Sequence, residues 1–338
     1  MIKAVVIGVG RMGRRHGKAI RAAGLELVGV ADGLDSSLQM ARDELSLSAE
    51  QCFLDPIEMI RILKPDLVCV ATTATSHADL TCLAAEMGVP YILCEKPMAT
   101  SVADCERMVS TCASHGTVLA VNHQMRFISQ YMRPKSVVES DELGGFCGLH
   151  VIAGNCGLAM NGTHFVELLR LLAGEPAEEV TAWFSPDVTP NPRGTEFEDR
   201  AGFLRARTAS GKRLHVEATS DQGHGLTLIY SGRHGQVIVD MLAGKMRVNC
   251  RKEEHRSKPT TLYGLPWDSW EETLKLTDVE TATQMVIEHM IAGSGYPSGT
   301  DGLNAVSTLV AAHASASIGS LPVPLDQPNW HEHRFPWA

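Results

Sequence analysis

The chain has 338 residues, with 39 acidic and 30 basic side chains that give a formal net charge of −9. That balance argues against nucleic acid or an anionic membrane surface as a partner. No apolar run approaches the roughly 18 residues of a transmembrane helix. The length allows two domains, because single hydrophobic cores stop growing near about 250–300 residues.

Short apolar runs alternate with helical patterns from residue 1 to about residue 122. This alternation is typical of parallel strands joined by crossover helices, and the continuous Val, Ile and Leu runs fit strands covered on both faces. We therefore expect a doubly wound parallel sheet in a domain spanning 1–122. The predicted strands are Ile2–Ile7, Leu25–Ala31, Leu67–Ala71, Tyr91–Cys94 and Val118–Val121, and the predicted helices are Arg11–Ala23, Ser36–Leu45, Pro56–Leu63, Ser76–Met87 and Ser101–His115.

The rhythm changes after residue 122, where longer strand patterns follow one helix candidate. Turn-like segments at 209–212 and 232–235 join neighbouring strands as hairpins. We expect an α+β domain at 123–320 with a large, mostly antiparallel open sheet, followed by an extended arm at 321–338. The predicted helices are Thr163–Ala173, Val279–Ile291 and Gly302–Ile318, and the predicted strands are Val180–Phe184, Gly202–Thr208, Arg213–Thr219, Leu226–Ser231, Gln236–Met241 and Met246–Cys250.

A glycine-rich motif follows the first strand and opens the first helix. Its residues are Gly8, Val9, Gly10, Arg11, Met12 and Gly13. Three glycines at this spacing let the chain turn tightly, approach a pyrophosphate and pack the helix on the strand. The helix N-terminus then directs its free N–H groups and its positive dipole end at the phosphates. The alternative is a glycine turn with a structural role alone.

Asp32 ends the second predicted strand, nineteen residues after Gly13. An acidic side chain at this point can accept hydrogen bonds from the adenosine ribose and repel a 2′-phosphate. The next basic residue is Arg42, so the sequence favours NAD over NADP. A turn or capping role for Asp32 is the alternative.

A second motif, Glu95-Lys96-Pro97, ends the strand Tyr91–Cys94. It places a lysine where a substrate facing the cofactor would lie. Together with the glycine motif, it indicates a nicotinamide oxidoreductase. Asn122, His123 and Arg126 follow the last strand of the first domain, where open α/β sheets bind their ligands. Arg126 can bind a carboxylate or phosphate bidentately, or it can form an interdomain salt bridge.

With these motifs, nearly the whole chain resembles the Gfo/Idh/MocA family of oxidoreductases, which includes glucose–fructose oxidoreductase and inositol dehydrogenase. The segments that carry the resemblance, besides the two motifs, are Ala71-Thr72-Thr73 with Ser76-His77, Asn122 to Phe127, Asn161 to Glu167 and Asp301 to Ala305. The resemblance implies an N-terminal Rossmann domain and a second domain whose open sheet forms the oligomer interface. It further implies hydride exchange between a sugar or polyol carbon and C4 of the nicotinamide.

The resemblance also implies roles for individual residues. Lys96 resembles the catalytic lysine and His164 the catalytic acid/base of the family. The chemistry agrees, because alcohol oxidation needs a group that takes the hydroxyl proton, a histidine titrates near neutral pH and an ammonium stabilises a developing alkoxide. The implied cofactor residues are Thr72, Thr73, His77 and Glu95, and the implied substrate residues are Lys96, Asn122, His123, Arg126, Asn161 and His164. For His77, a capping or packing role is the alternative.

One position departs from the family pattern. Four residues before the histidine, many members carry an aspartate, whereas this chain has Met160, followed by Asn161. A methionine cannot transfer a proton, so Asn161 or another polar group contacts the substrate, or the Lys96–His164 pair suffices. Otherwise the chain has altered or lost the standard reaction. Two rivals to a sugar or polyol dehydrogenase therefore stay open: a redox-neutral enzyme with tightly held NAD, and a non-catalytic sensor of NAD or a sugar.

The remaining expectations concern metals, compartment and assembly. No spacing predicts a metal site, and His331-Glu332-His333 lacks a second histidine at helical spacing. The nine scattered cysteines indicate reduced thiols in a cytoplasmic protein. From the family resemblance we expect a homodimer or homotetramer that acts on a small molecule.

Overall fold

The structure is a computed structural model that describes residues 1–154, 156–188, 191, 193–259, 264–326 and 330–337. The chain forms two compact units that interleave along the sequence. The first contains Met1–Gln124, Asp278–Val306 and His331–Ala338, and the second contains Met125–Thr277 and Ser307–Trp330. The predicted boundaries at 122 and 320 stay a prediction. Of the predicted arm 321–338, residues 327–329 and 338 lie outside the described residues.

The first unit is built on a six-stranded parallel sheet with the strand order β3-β2-β1-β4-β5-β6. Its central strands are buried along almost their whole length, as a parallel sheet requires when helices cover both faces. The strands are β1 (Lys3–Ile7), β2 (Glu26–Ala31), β3 (Cys52–Phe53), β4 (Leu67–Val70), β5 (Tyr91–Cys94) and β6 (Val118–Val121).

Five helices connect these strands, and their starts follow local chemistry. Asp55 caps α3 through the N–H of Ile57 and precedes Pro56, while Ser101 caps α5 through the N–H of Asp104. The helices are α1 (Arg11–Ala22), α2 (Asp35–Leu45), α3 (Pro56–Leu63), α4 (Ala74–Glu86) and α5 (Val102–Ser114). Two later segments of the chain also belong to this unit. Residues 278–306 carry α8 (Val279–Ile291) and the beginning of α9 (Gly299–Ser317).

The second unit is built on a nine-stranded sheet with the order β14-β13-β12-β11-β7-β10-β9-β8-β15, antiparallel except where β7 pairs with β10. The strands are β7 (Phe146–Gly154), β8 (Ala177–Val188), β9 (Arg200–Thr208), β10 (Arg213–Thr219), β11 (Thr227–Gly232), β12 (Gly235–Asp240), β13 (Lys245–Arg251), β14 (Trp267–Thr273) and β15 (Val323–Pro324). Two helices, α6 (Ser129–Val138) and α7 (Gly162–Ala173), pack on one face of this sheet.

Burial alternates along these strands, as in β10, where Leu214, Val216 and Ala218 are buried and their neighbours are not. One face therefore supplies the core and the other lies open. The predicted fold class, a doubly wound parallel domain plus an α+β domain with a large, mostly antiparallel sheet, is confirmed. Within the described ranges, no helix has the length and apolar character needed to cross a membrane.

Candidate active site

Four neighbouring strands of the first sheet end at the same level. The register pairs their last residues, Ile7, Val70, Cys94 and Val121. Because the strands are parallel, the segments that follow them all leave the sheet at one edge. This carboxyl edge collects the glycine turn after β1, the threonines after β4, Lys96 after β5 and Asn122 after β6.

Two glycines of the glycine turn are in close contact with other backbone atoms, and the third faces open space. Gly8 has a φ of +84°, and a Cβ there would lie 2.7 Å from the backbone N of Thr72. A Cβ on Gly13 would lie 1.8 Å from the carbonyl oxygen of Gly8. A Cβ on Gly10 would meet nothing within 4 Å, so the space in front of Gly10 can receive a pyrophosphate. These three positions fit a dinucleotide.

The start of α1 faces the same space. Gly10 is its N-cap residue, and no side chain of the described residues caps the helix there. The first-turn N–H groups are therefore suited to an anion. At the first two helical positions, Arg11 is exposed and Met12 is half-buried.

Asp32 lies directly after β2, and two backbone amides fix its carboxylate. Its Oδ2 accepts a hydrogen bond from the N–H of Val9 at 2.8 Å, and its Oδ1 accepts one from Leu34 at 3.0 Å. Each carboxylate oxygen has a second lone pair, so the side chain can still accept a ribose hydroxyl. Its charge opposes a 2′-phosphate.

The threonines after β4 are tied to the lysine segment by His77. Ser76 donates its hydroxyl to Thr72 Oγ1 at 2.8 Å, and Thr73 precedes α4 as its N-cap residue. The ring of His77 lies between two carbonyl oxygens, with Nε2 3.2 Å from that of Thr72 and Nδ1 3.0 Å from that of Pro97. Burial lowers the pKa of His77. These contacts support the alternative in which His77 has a packing role.

Lys96 follows β5 and is partly exposed, and a cis peptide bond joins it to Pro97. The preceding Glu95 is 3% exposed. Its Oε1 accepts hydrogen bonds from His16 Nε2 and Asn122 Nδ2, both at 2.7 Å, and its Oε2 accepts one from the backbone N–H of Lys96 at 3.2 Å. Protein groups thus surround the Glu95 carboxylate, and the side chain of Asn122 is fully buried.

His123 is the last predicted site residue of the first unit. Its ring is buried, and its backbone N–H donates to the carbonyl of Val121 at 2.6 Å. The chain thus bends sharply as it leaves β6.

In the second unit, His164 and Asn161 lie at the start of α7. Asn161 is the exposed N-cap residue, and its carbonyl accepts the N–H of His164 at 3.1 Å. His164 itself is buried. An exposed amide beside a buried imidazole gives this helix start two different polar groups.

Arg126 forms an ion pair with Glu167, which lies one turn after His164 on α7. Glu167 is buried and also accepts two hydrogen bonds from Arg170, at 2.7 and 2.9 Å. Both residues of the Arg126–Glu167 pair belong to the second unit. The guanidinium of Arg126 therefore already has a carboxylate partner, and its predicted contact with the substrate stays a prediction.

Met160 precedes α7 in a turn that an aspartate from another segment holds. Asp199 is buried, and its two oxygens accept the backbone N–H groups of Ala159, at 2.7 Å, and Met160, at 2.9 Å. A Cβ on Gly157 would lie 2.1 Å from the Asp199 carboxyl carbon. The turn before His164 therefore depends on a glycine and a distant acid.

Three buried residues of these contacts, His16, Glu167 and Asp199, were not predicted from the sequence. His16 had a detectable signal, because it shares the core-facing side of α1 with Ala19 and Ile20, at the i+3 and i+4 positions. A polar residue at such a position requires a buried partner. Glu167 and Arg170 form an i,i+3 charge pair that is visible in the sequence, but the pairing of Glu167 with Arg126 and the contacts of Asp199 span about forty residues and have no local pattern.

The described C-terminal segment 331–337 belongs to the first unit. His331 pairs with Glu106 at 2.8 Å, Arg334 pairs with Asp104 at 2.8 Å, and Trp337 is buried. In the described part of the chain, no three His, Cys, Asp or Glu side chains are grouped as a metal ion would need.

The glycine turn, the acidic residue after β2 and the doubly wound sheet define a dinucleotide-binding protein of the Rossmann class. Residues 2–123 match the model of the Gfo/Idh/MocA family, described as an oxidoreductase family with an NAD-binding Rossmann fold. This segment belongs to that family. The predicted family and the predicted cofactor, NAD, are confirmed at this level.

The chain is similar in sequence to inositol dehydrogenases and similar in fold to a solved oxidoreductase. An inositol 2-dehydrogenase of Salmonella paratyphi B is 27% identical over 146 residues, 42% of this chain and 43% of the relative's length. The match to this relative thus spans less than half of its length. An inositol 2-dehydrogenase 2 of Mycolicibacterium vanbaalenii is 25% identical over 96% of this chain and 95% of its own. An Agrobacterium radiobacter oxidoreductase, solved with NAD+, L-tartaric acid and magnesium, has a TM-score of 0.80 at 19% identity, over 96% of this chain and 98% of that one.

Proposed function

We propose that the chain is an NAD-dependent dehydrogenase that transfers hydride between the nicotinamide and a secondary alcohol or ketone of a sugar, polyol or sugar derivative. The observation that carries this proposal is the position of Lys96 at the carboxyl edge of the first sheet. It follows β5, which is two strands from the glycine turn after β1. The inositol dehydrogenases among the relatives support a polyol or sugar as the substrate class.

The chemistry divides between cofactor and protein. When bound, NAD supplies the hydride acceptor, so the chain has to manage the proton that leaves the substrate hydroxyl. We assign that proton to Lys96 and His164, since an ammonium stabilises alkoxide character and an imidazole exchanges protons near neutral pH. His123, Arg126 and Asn161 are the proposed substrate-orienting residues. The open space at Gly10 and the fixed carboxylate of Asp32 are suited to the pyrophosphate and the ribose.

The test is NADH formation at 340 nm when the protein and NAD are offered inositols, aldoses, amino sugars and sugar nucleotides. Lys96→Ala should lower kcat by at least 10³-fold while the Kd for NADH changes less than threefold, because the lysine acts on the substrate. Lys3→Ala, at an exposed lysine of the same unit, is the matched control and should behave as wild type. Equal activity of Lys96→Ala and wild type would refute the proposal.

The same experiment separates the two rivals. NAD that copurifies with the protein, together with product formed without net NADH, would indicate the redox-neutral enzyme. Stoichiometric sugar binding without any conversion would indicate the sensor. Met160 is the observation that keeps both rivals in view, because it removes a carboxylate that many family members carry four residues before the histidine.

We also propose a homodimer or homotetramer formed through the open face of the second sheet. Trp183 and Phe203, 46% and 38% exposed, stack there at 5.9 Å beside a cavity of about 630 Å³. An exposed aromatic face of this kind marks an interaction surface. Sedimentation of Phe203→Glu should show monomers, whereas Leu34→Glu, at an exposed residue of the first unit, should not. A cytoplasmic location is part of the proposal and suits the nine free thiols.

A further inference from the structure

A group of buried polar side chains lies directly beside Lys96 in the first unit. It consists of His16 on α1, Glu95 after β5 and Asn122 after β6, and we call it the Glu95 cluster. His16 and Asn122 are fully buried and Glu95 nearly so. Three secondary-structure elements that are far apart in the sequence therefore converge on one carboxylate.

The hydrogen bonds of the cluster have defined directions. A carboxylate accepts and does not donate, so His16 Nε2 and Asn122 Nδ2 both donate to Glu95 Oε1, each at 2.7 Å. The same Asn122 amide group lies 3.3 Å from the hydroxyl of Thr283 on α8. These contacts settle the orientation of the Asn122 side chain, because its amide nitrogen has to face Glu95.

The other oxygen of Glu95 reaches the lysine itself. Oε2 accepts the backbone N–H of Lys96 at 3.2 Å. Because His16 and Asn122 fix one oxygen of the Glu95 carboxylate, the other oxygen is positioned to fix the backbone of Lys96. Without those donors, a buried charge would lack compensation and would turn toward other groups or water.

We propose that His16 and Asn122 are positioning residues that act through Glu95 to fix the backbone of Lys96 at the active site. This inference rests on the proposed function for its catalytic consequence. Misplacing a reacting group by about 1 Å can cost on the order of 100-fold in rate. It also gives Glu95 an indirect role, because its two oxygens are engaged with the protein.

The charge state at neutral pH agrees with the geometry. Burial by itself lowers the pKa of His16, but the neighbouring Cys69 and Glu95 side chains outweigh it and raise that pKa to about 10. Burial by itself raises the pKa of Glu95, but His16, Lys96 and Asn122 hold it well below its usual range. The hydrogen bond from His16 to Glu95 is therefore charge-assisted at neutral pH.

Two amide substitutions at residue 16 test the role of the donor. His16→Gln places its amide nitrogen near the position of Nε2, so it should keep the hydrogen bond to Glu95 and retain kcat within about threefold. His16→Asn carries the same chemistry on a shorter side chain that does not reach Glu95. It should lower kcat by about tenfold to 100-fold, with the Kd for NADH changed less than threefold and kcat expressed per NADH-binding site.

A second measurement is independent of turnover. Hydrogen exchange of the peptide that contains Lys96, followed by mass spectrometry, should be faster in His16→Asn than in wild type and His16→Gln, because the Lys96 N–H loses its fixed acceptor. In a double-mutant cycle, adding Glu95→Gln to His16→Asn should lower kcat no further than Glu95→Gln alone, because both act through one carboxylate.

The outcomes separate this inference from the proposed function. Faster exchange in His16→Asn alone, with no wild-type turnover on any substrate of the panel, would support the positioning of Lys96 and count against the dehydrogenase. Equal exchange and equal kcat in the Asn and Gln variants would overturn the positioning role and leave the dehydrogenase standing. Additive losses in the double-mutant cycle would also overturn it.

Discussion

Gly10 offers a sharp test of the cofactor site, because the structure leaves open space where its side chain would be. In Gly10→Ala the new methyl group meets no protein atom within 4 Å, and the backbone angles of −59° and −166° are accessible to alanine. The remaining cost is a poorer helix N-cap, about 0.5–1 kcal/mol. The variant should therefore fold, with a melting temperature only a few degrees lower.

The same methyl group would occupy the space that the pyrophosphate needs. If it prevents one or two charge-assisted N–H bonds, worth about 1.5–3 kcal/mol each, the loss is about 3 kcal/mol, which is about 100-fold in Kd. Titration of NADH by fluorescence, beside thermal unfolding without cofactor, measures both quantities. Gly223→Ala, at another glycine with open space around it, is the control.

The result that refutes this reasoning is a Gly10→Ala variant that binds NADH as tightly as wild type, since the pyrophosphate would then lie elsewhere. Gly13→Ala supplies the contrast. Its Cβ would lie 1.8 Å from the Gly8 carbonyl oxygen, so the turn itself has to move. That variant should lose thermal stability as well as NADH binding.

Three further predictions concern charge. Asp32→Ala should weaken NAD binding about tenfold and reduce the ratio of the Kd for NADP to the Kd for NAD, because the carboxylate repels the 2′-phosphate. Titration with both cofactors measures this ratio, and an unchanged ratio would contradict the prediction. The folded-state pKa of His16, about 10, lies above its unfolded value, so its stabilisation is complete below about pH 6.5 and is lost as the pH rises toward 10. Across that pH range, the free energy of unfolding should therefore decrease more steeply for wild type than for His16→Gln. Equal pH dependence in the two proteins would contradict this prediction. Arg126→Ala should lower the free energy of unfolding by about 2–3 kcal/mol, because the buried Glu167 carboxylate loses one of its cationic partners. Arg133→Ala removes an exposed ion pair and should lower it by less than about 1 kcal/mol. Equal losses of stability in denaturant unfolding would refute the distinction.

The elements of the first unit could be read from the sequence because each carries its own signal. Continuous apolar runs marked β1, β4, β5 and β6, and the bounds of β5, β6 and α3 agree with the prediction to the residue. The prediction missed the two-residue strand β3, which is too short to carry a pattern. Helix ends shifted by one or two residues, as fraying termini usually do.

In the second unit, α6, β7 and β14 escaped the prediction for local reasons, and the two-residue strand β15 lies in the segment that was predicted to be an extended arm. The helix α6 contains Pro134, which normally ends a helix pattern. The central strand β7 contains Gly148 and ends at Gly154, and glycine weakens the pattern by which a strand is recognised. The strand β14 is exposed along nearly its whole length, so it shows no alternation of apolar and polar residues.

The site divides in the same way. The glycine motif and Asp32 could be predicted, because their chemistry depends on backbone position at the end of a strand. The Glu95 cluster could not, since His16 and Glu95 are 79 residues apart and Asn122 and Thr283 are 161 apart. Which side chains meet across such distances depends on the strand order and register, which composition and periodicity do not determine.

The turn that contains Met160 depends on a carboxylate from a distant segment of the chain. That carboxylate belongs to Asp199, and both of its oxygens accept backbone N–H groups, those of Ala159 and Met160. These bonds hold the turn that leads into His164, and the close approach at Gly157 leaves the carboxylate little room to move. Asp199 therefore holds the geometry of the helix start, and our proposal assigns the proton of the reaction to Lys96 and His164.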